Sequence, residues 1–275
     1  MDTIDRAVLD AARSSDRDRY LAALLAPADA RADLVVLAAY LGETRRIPLL
    51  AHDAAVGEIR LQWWRDALGA DAPASGHPVA DAVAGLARRH GLDRDLVLAP
   101  VEGASRELYE DGFADDERLD RYAAETGGAG LRLALLVLGC GEAALGVVPA
   151  GRALALTRLA LTLPQHLALG RLPLPPAYLG GLSDPRGAAP AEARSATRAL
   201  LSRLSEEALR ALDAFRKEAA GLEPDARAAF LPLVLVEPYV KSVLAPRRDV
   251  LRDVADISPL SRVMRLWFAQ VRGRI

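Results

Sequence analysis

The sequence predicts an all-α fold, and three observations carry that reading. Apolar residues recur at three- and four-residue spacing in nearly every segment. No run of alternating β-branched residues interrupts them. Prolines and short acidic turns fall where such helices would start and stop. The pattern amounts to about eight to ten helices. With no composition shift and no repeat of solenoid length, residues 1–275 read as a single domain.

Taken in order, Pro27 and Asp29 open a helix whose stripe is Ala30, Leu34, Leu37 and Leu41, and Pro48 is expected to close it. Ile59, Trp63, Trp64 and Leu68 make the next stripe. Ala70–Pro78 reads as a loop of alanine, proline, glycine and serine. Asp115, Asp116, Glu117 and Asp120 follow Gly112 and precede a helical pattern. Acids there meet the helix dipole and cap free N–H groups, a better account than a metal site. Gly127, Gly128 and Gly130 suit close helix packing at least as well as a ligand. Leu172–Pro190 is the longest irregular stretch. Leu200, Leu204, Leu209, Leu212 and Phe215 mark a long polar-backed helix, and Pro224 with Asp225 begins another that Pro246 ends. Asp249, Asp253 and Asp256 are spaced for one helix face beside Arg247, Arg248 and Arg252, as paired surface charge. Asp16 and Asp18, among Arg13, Arg17 and Arg19, read as a compensated solvated face.

Composition removes several functions. Thirty-five basic against 37 acidic residues give a net charge of −2, with no excess to neutralise a phosphate backbone, so nucleic acid is not expected as a partner. The single cysteine, Cys140, excludes a disulfide framework and a cysteine-based zinc site. The four histidines, His52, His77, His90 and His166, have no metal spacing, and no HExxH, GxSxG, GxGxxG or P-loop pattern occurs. The first twenty residues mix acids and bases without an apolar h-region. Leu131–Leu138 is too short to span a bilayer, and Ala153–Leu169 carries Arg158, Pro164, Gln165 and His166. A cytoplasmic protein, at most peripheral to the inner face of a membrane, is expected.

The most specific segment is GEIRLQWWRDAL, residues 57–68. Two adjacent tryptophans on a short helix read first as core anchors with flanking ion pairs. The alternative has Trp63 or Trp64 line a cavity for an apolar ligand, and Tyr40 is a further candidate for that cavity.

This segment, with Asp18-Arg19-Tyr20-Leu21, the glycine-bearing stretch Tyr122–Leu138, residues 154–179 and DISPLSRVMRLW at 256–267, resembles the squalene/phytoene synthase family. The resemblance covers most of residues 15–180. It implies an isoprenoid-synthase fold, a helical bundle around a central apolar cavity. Active members join two prenyl diphosphates, and two aspartate-rich motifs hold the Mg²⁺ that neutralises the leaving diphosphate while the carbocation is kept from water. Here the register departs. The first motif should fall at 45–49, which reads Arg45-Arg46-Ile47-Pro48-Leu49, and the second at 162–166, which reads Thr162-Leu163-Pro164-Gln165-His166. No carboxylate remains in either, so neither catalytic residues nor Mg²⁺ are expected. Glu43, Asp53 and Glu58 do not restore the spacing.

The pattern resembles a divergent branch of the family that includes the mitochondrial assembly factor for respiratory complex I and its bacterial relatives. By that resemblance the expectation is a pseudoenzyme: a binder of an isoprenoid or lipid, or a helper with a protein partner in membrane-complex assembly. Arg45, Arg46, Arg158 and Arg171, with His166, would mark the old diphosphate end, where arginines hold an anionic headgroup by bidentate contacts. Pairing of these arginines with Glu43, Asp53 or Glu58 is an equal alternative. Two other readings stand beside it: an active prenyltransferase with relocated acids, and an interaction module with no open pocket between helices 28–46, 54–68 and 148–168.

Overall fold

A computed structural model describes residues 4–69, 72–109, 111–141 and 145–275. Its α-helices are α1 (Arg6–Ser15), α2 (Arg17–Leu24), α3 (Arg31–Leu50), α4 (Ala54–Ala67), α5 (Pro78–His90), α6 (Arg94–Arg106), α7 (Asp116–Ala123), α8 (Ala129–Val137), α9 (Val147–Ala168), α10 (Pro190–Glu218), α11 (Arg227–Phe230), α12 (Val236–Val243) and α13 (Pro259–Arg272). No strand occurs among the described residues. The all-α expectation holds, with more helices than the pattern suggested, because the helical chain is broken at three places.

Each break has a local cause. Asp16 separates α1 from α2, its backbone N–H closing α1 on Ala12 while its side chain caps α2 by accepting from the Arg19 N–H at 3.2 Å. Between α7 and α8 the chain widens into a π-helical turn, Ala124–Gly128, where Gly127 meets Gly151 of α9 backbone to backbone. The helix expected from Pro224 to Pro246 is cut by a 3₁₀ segment, Leu231–Leu235, with Pro232 at its start.

Three further expectations change. Pro48 does not end α3, which runs on to Leu50. In the last turn a proline removes only one ladder donor, and Arg171 takes the end carbonyls, donating to Pro48 at 2.7 Å and Ala51 at 2.8 Å. Asp249, Asp253 and Asp256 lie on turns between α12 and α13, not on a helix face. Asp253 accepts the Asp249 N–H at 2.8 Å, and Asp256 pairs with Arg262 at 2.6 Å. Of the loop expected at Ala70–Pro78, residues 70 and 71 lie outside the described residues.

Others are as read. Asp115 is the N-cap of α7, accepting from Arg118 N–H at 2.9 Å. The stretch expected to be irregular, Leu172–Pro190, is so apart from a single 3₁₀ turn, Pro176–Tyr178, and its last residue, which begins α10.

Two large apolar clusters hold these elements. One joins α9, α10 and α12 around Leu156, Leu200, Leu204 and Phe215. The other joins α3, α5, α6 and part of α8 around Tyr40, Leu61, Leu86 and Leu133. They meet at Ala134 and Leu138, and the cavity opens where α3 faces α9.

Candidate functional site

A cavity of about 300 Å³ opens between the facing sides of α3 and α9, at the lower end of the range for small-ligand pockets. The α1–α2 junction, α6, the π-helical turn, Pro232 and α12 complete its wall. Leu41 and Leu49 of α3, Leu154 and Leu161 of α9, Pro100 and Val236 supply apolar surface. Charged groups supply the rest: Asp16, Asp18 and Glu107 against Arg19, Arg45, Arg46 and Arg158. The cavity is mainly apolar, as expected, with charged groups set into its wall.

Every wall carboxylate already holds a cation. Asp16 is buried and bound by Arg19 at 2.8 Å and Arg45 at 3.1 Å. Burial pushes its carboxyl up, but the two guanidiniums outweigh this and hold it below the usual value. Asp18 accepts from Arg262 Nε at 2.6 Å and from the Tyr239 hydroxyl at 2.7 Å. Burial and the neighbouring Asp16 charge raise its carboxyl nonetheless. Arg262 also donates to the Tyr239 oxygen at 2.9 Å, which fixes α13 to α12 and α2. The solvated face expected at Asp16 and Asp18 is instead part of the cavity wall, with Asp16 buried and Asp18 half-buried. The sequence pattern cannot show this, because Arg45 and Arg262 arrive from distant segments.

Glu107 anchors the opposite side. It is fully buried, and its Oε1 accepts from Arg158 Nη1 at 2.5 Å and from the Tyr122 hydroxyl at 2.9 Å. His166 Nε2 stands 3.1 Å from Oε2, and among the described residues His166 Nδ1 has no hydrogen-bond partner. Burial raises the Glu107 carboxyl, yet Arg158 and His166 prevail and hold it at about 2. Arg158 Nη2 donates to the Arg45 carbonyl at 2.7 Å, so the same side chain ties α9 to α3. Glu107 belongs to no motif of the sequence and gave no signal there.

The expected site residues separate into two groups. Arg45, Arg46 and Arg158 come together on the wall. His166 lies behind it, against Glu107. Arg171 is buried on the end of α3 and does not reach the cavity. Tyr40 and the tryptophans are corrected too. The Tyr40 hydroxyl donates to the Val97 carbonyl, and its ring packs 5.3 Å from Trp64 inside the second core cluster. Trp63 is on the surface beside His77, 5.2 Å away. No residue of α4 lines the cavity, because α4 packs behind α3 and α6. Neither Arg45 nor Arg158 pairs with Glu43, Asp53 or Glu58; their partners are Asp16 and Glu107. Arg46 is exposed, donates to Ser15 Oγ at 3.1 Å, and meets no carboxylate within ion-pair distance among the described residues.

The donor set does not suit Mg²⁺, which requires several free oxygen ligands in octahedral array. The positions where the family resemblance would put the aspartate motifs carry Arg45, Arg46, Thr162 and His166, and Thr162 Oγ1 donates to its own helix at Arg158. No group of three metal-ligating side chains occurs among the described residues. The wall instead offers four arginines to three carboxylates around an apolar floor, which fits an anionic head on an apolar tail.

Fold and cavity together define a helical bundle of the isoprenoid-synthase type. The chain belongs to the squalene/phytoene synthase family, whose model matches residues 12–261. It is similar to the Bos taurus protein named NADH dehydrogenase (ubiquinone) complex I, assembly factor 6. The two are 26% identical over 274 residues, 96% of this chain and 82% of that one. The Homo sapiens protein of the same name is 27% identical over 138 residues, 49% of this chain and 41% of that one. Among solved structures, a dehydrosqualene synthase in complex with ligand superposes with a TM-score of 0.73 at 15% identity, covering 98% of this chain and 97% of that one. The squalene synthase of Alicyclobacillus acidocaldarius gives 0.65 at 19% identity, covering 86% and 91%. These two likenesses establish the fold.

Proposed function

We propose that this protein is a non-catalytic member of its family, a single-domain helper in respiratory-complex assembly that holds an isoprenoid or similar lipid by an anionic head. It works without Mg²⁺ and without prenyl transfer, in the cytoplasm at the inner face of the membrane. The observation that carries this reading is the arginine substitution at the cavity wall. Arg45 and Arg46 stand where relatives would present metal-binding aspartates, and each remaining wall carboxylate is engaged by an arginine. The similarity to complex I assembly factor 6 supports the assembly role and a protein partner. No helix among the described residues is long and apolar enough to cross a membrane, which accords with peripheral action.

The test incubates purified protein with farnesyl or geranylgeranyl diphosphate and Mg²⁺ and measures pyrophosphate. No release above a heat-denatured control is expected, while titration calorimetry in EDTA still registers binding. Mg²⁺-dependent release would instead support the second reading, an active prenyltransferase. That reading draws on Asp16, Asp18 and Glu107, the three carboxylates that do reach the wall.

A further inference from the structure

Helix α13 buries one face and leaves another bare. Leu266 and Arg262 turn inward against the small apolar cluster of Leu231, Leu235 and Tyr239. Leu260, Val263, Met264, Trp267, Phe268 and Val271 all face solvent, Leu260 at 72% and Trp267 at 46% exposure. Their steps of three and four residues place them on one stripe of the helix. A soluble helix presents such a stripe to a core; here the stripe points away from it. A continuous apolar face of this kind marks an interaction surface.

The charges beside the stripe indicate what covers it. Residues 259–275 hold four arginines and no acid, although the whole chain carries −2. Arg262 is spent on Asp18 and Asp256. Arg265, Arg272 and Arg274 are exposed and flank the stripe, and Arg227 approaches the end of the helix at Gly273. Trp267 and Phe268 pack edge to face at 5.0 Å, with the Arg272 guanidinium 5.3 Å over the Phe268 ring. Aromatic rings within an apolar face bordered by arginine suit the boundary between acyl chains and anionic headgroups.

We propose that α13 is the membrane-docking surface of this protein, lying in the plane of an anionic bilayer with Trp267 and Phe268 entering the headgroup boundary. This names the surface behind the peripheral-membrane part of the proposed function and does not depend on what the cavity holds. Through Arg262, the inner face of the docked helix is tied to Asp18 and Tyr239 of the cavity wall, so the bound bilayer and the cavity share one element.

The experiment is co-sedimentation of the full chain with phosphatidylcholine vesicles and with mixed phosphatidylcholine–phosphatidylglycerol vesicles. Binding to the mixed vesicles only, weakening at high salt, is expected. The double variant Trp267→Glu/Phe268→Glu is expected to lose at least about tenfold in affinity. Both side chains are exposed, and an unchanged circular dichroism melt checks that the fold survives. In the conservative variant Trp267→Phe, binding persists while the blue shift of tryptophan emission on vesicle addition is lost. Unchanged binding by the double variant would overturn this surface and leave a peripheral protein. Absence of vesicle binding by the native chain would overturn both. A dimer abolished by the double variant, without vesicle binding, would assign the stripe to a second copy and overturn the proposal.

Discussion

Glu107 shows how much one buried residue decides in this molecule. Moving a carboxylate out of water is costly, and burial alone would leave it neutral. Instead the Arg158 guanidinium and the His166 ring hold it at about 2, and the Tyr122 hydroxyl donates to it as well. An unfolded glutamate titrates near 4.5, so the folded form binds its proton less tightly. The stability this supplies is fully present above pH 4.5 and is lost as pH falls towards 2. Glu107→Gln leaves Arg158 buried without a counter-charge, at an expected cost of about 3–5 kcal/mol. Urea denaturation at neutral pH reads that difference. The gap between native chain and variant is expected to close as the buffer is taken from pH 4.5 towards 2. A gap that stayed constant over this range would show that the carboxylate charge is not what stabilises the site.

At the scale of the elements, the packing of α9 against the π-helical turn depends on two missing side chains. A Cβ on Gly151 would press into the backbone of Gly127 and Gly128, and one on Gly127 would press into the Gly151 carbonyl. Gly151→Ala is therefore expected to destabilise by about 1–3 kcal/mol through overpacking, read as a lowered melting temperature. Arg171 acts on another element, closing α3 on the carbonyls of Pro48 and Ala51. Arg171→Ala is expected to cost about 1.5–3 kcal/mol and to speed amide exchange in the last turn of α3, with Arg171→Lys recovering part of the loss. These elements also show what a sequence can tell. The stripe of Leu34, Leu37 and Leu41 repeats with the helix, so its helix was legible, and Asp115 capped α7 as its position implied. The glycines read as packing because a run of small residues permits close approach. The break at Pro232 was not legible, because a proline near a helix start and one that cuts a helix look alike in sequence. The cavity was legible only in part. Arg45, Arg46 and Arg158 followed from registration against family motifs, whereas Asp16, Asp18, Glu107 and Arg262 depend on contacts between segments far apart in the chain. Trp64 and Tyr40 were apolar enough for either a core or a cavity, and only their mutual packing assigns them to the core.

For the whole molecule, the net charge of −2 conceals a local inversion. The cavity wall sets four arginines against three acids, and α13 adds exposed arginines and holds no acid of its own. Arg45, Arg46 and Arg158 present guanidinium to the cavity. The charge balance leads to a measurement on the intact protein. If arginines bind the anionic head directly, inorganic pyrophosphate alone stabilises the fold, and chelating divalent cations with EDTA leaves that effect intact. At about a hundredfold excess over its dissociation constant the gain is about 2.7 kcal/mol, and a thermal melt resolves it. Arg46 is exposed and is the wall arginine with no carboxylate within ion-pair distance among the described residues, so Arg46→Glu is expected to remove the shift while the unliganded melt stays within about 0.5 kcal/mol of the native chain. Added salt is expected to reduce the shift, since the site opens to solvent and screening reaches it. A stabilisation that appeared only with Mg²⁺ would assign the anion to a metal bridge and return the protein to the chemistry of its relatives.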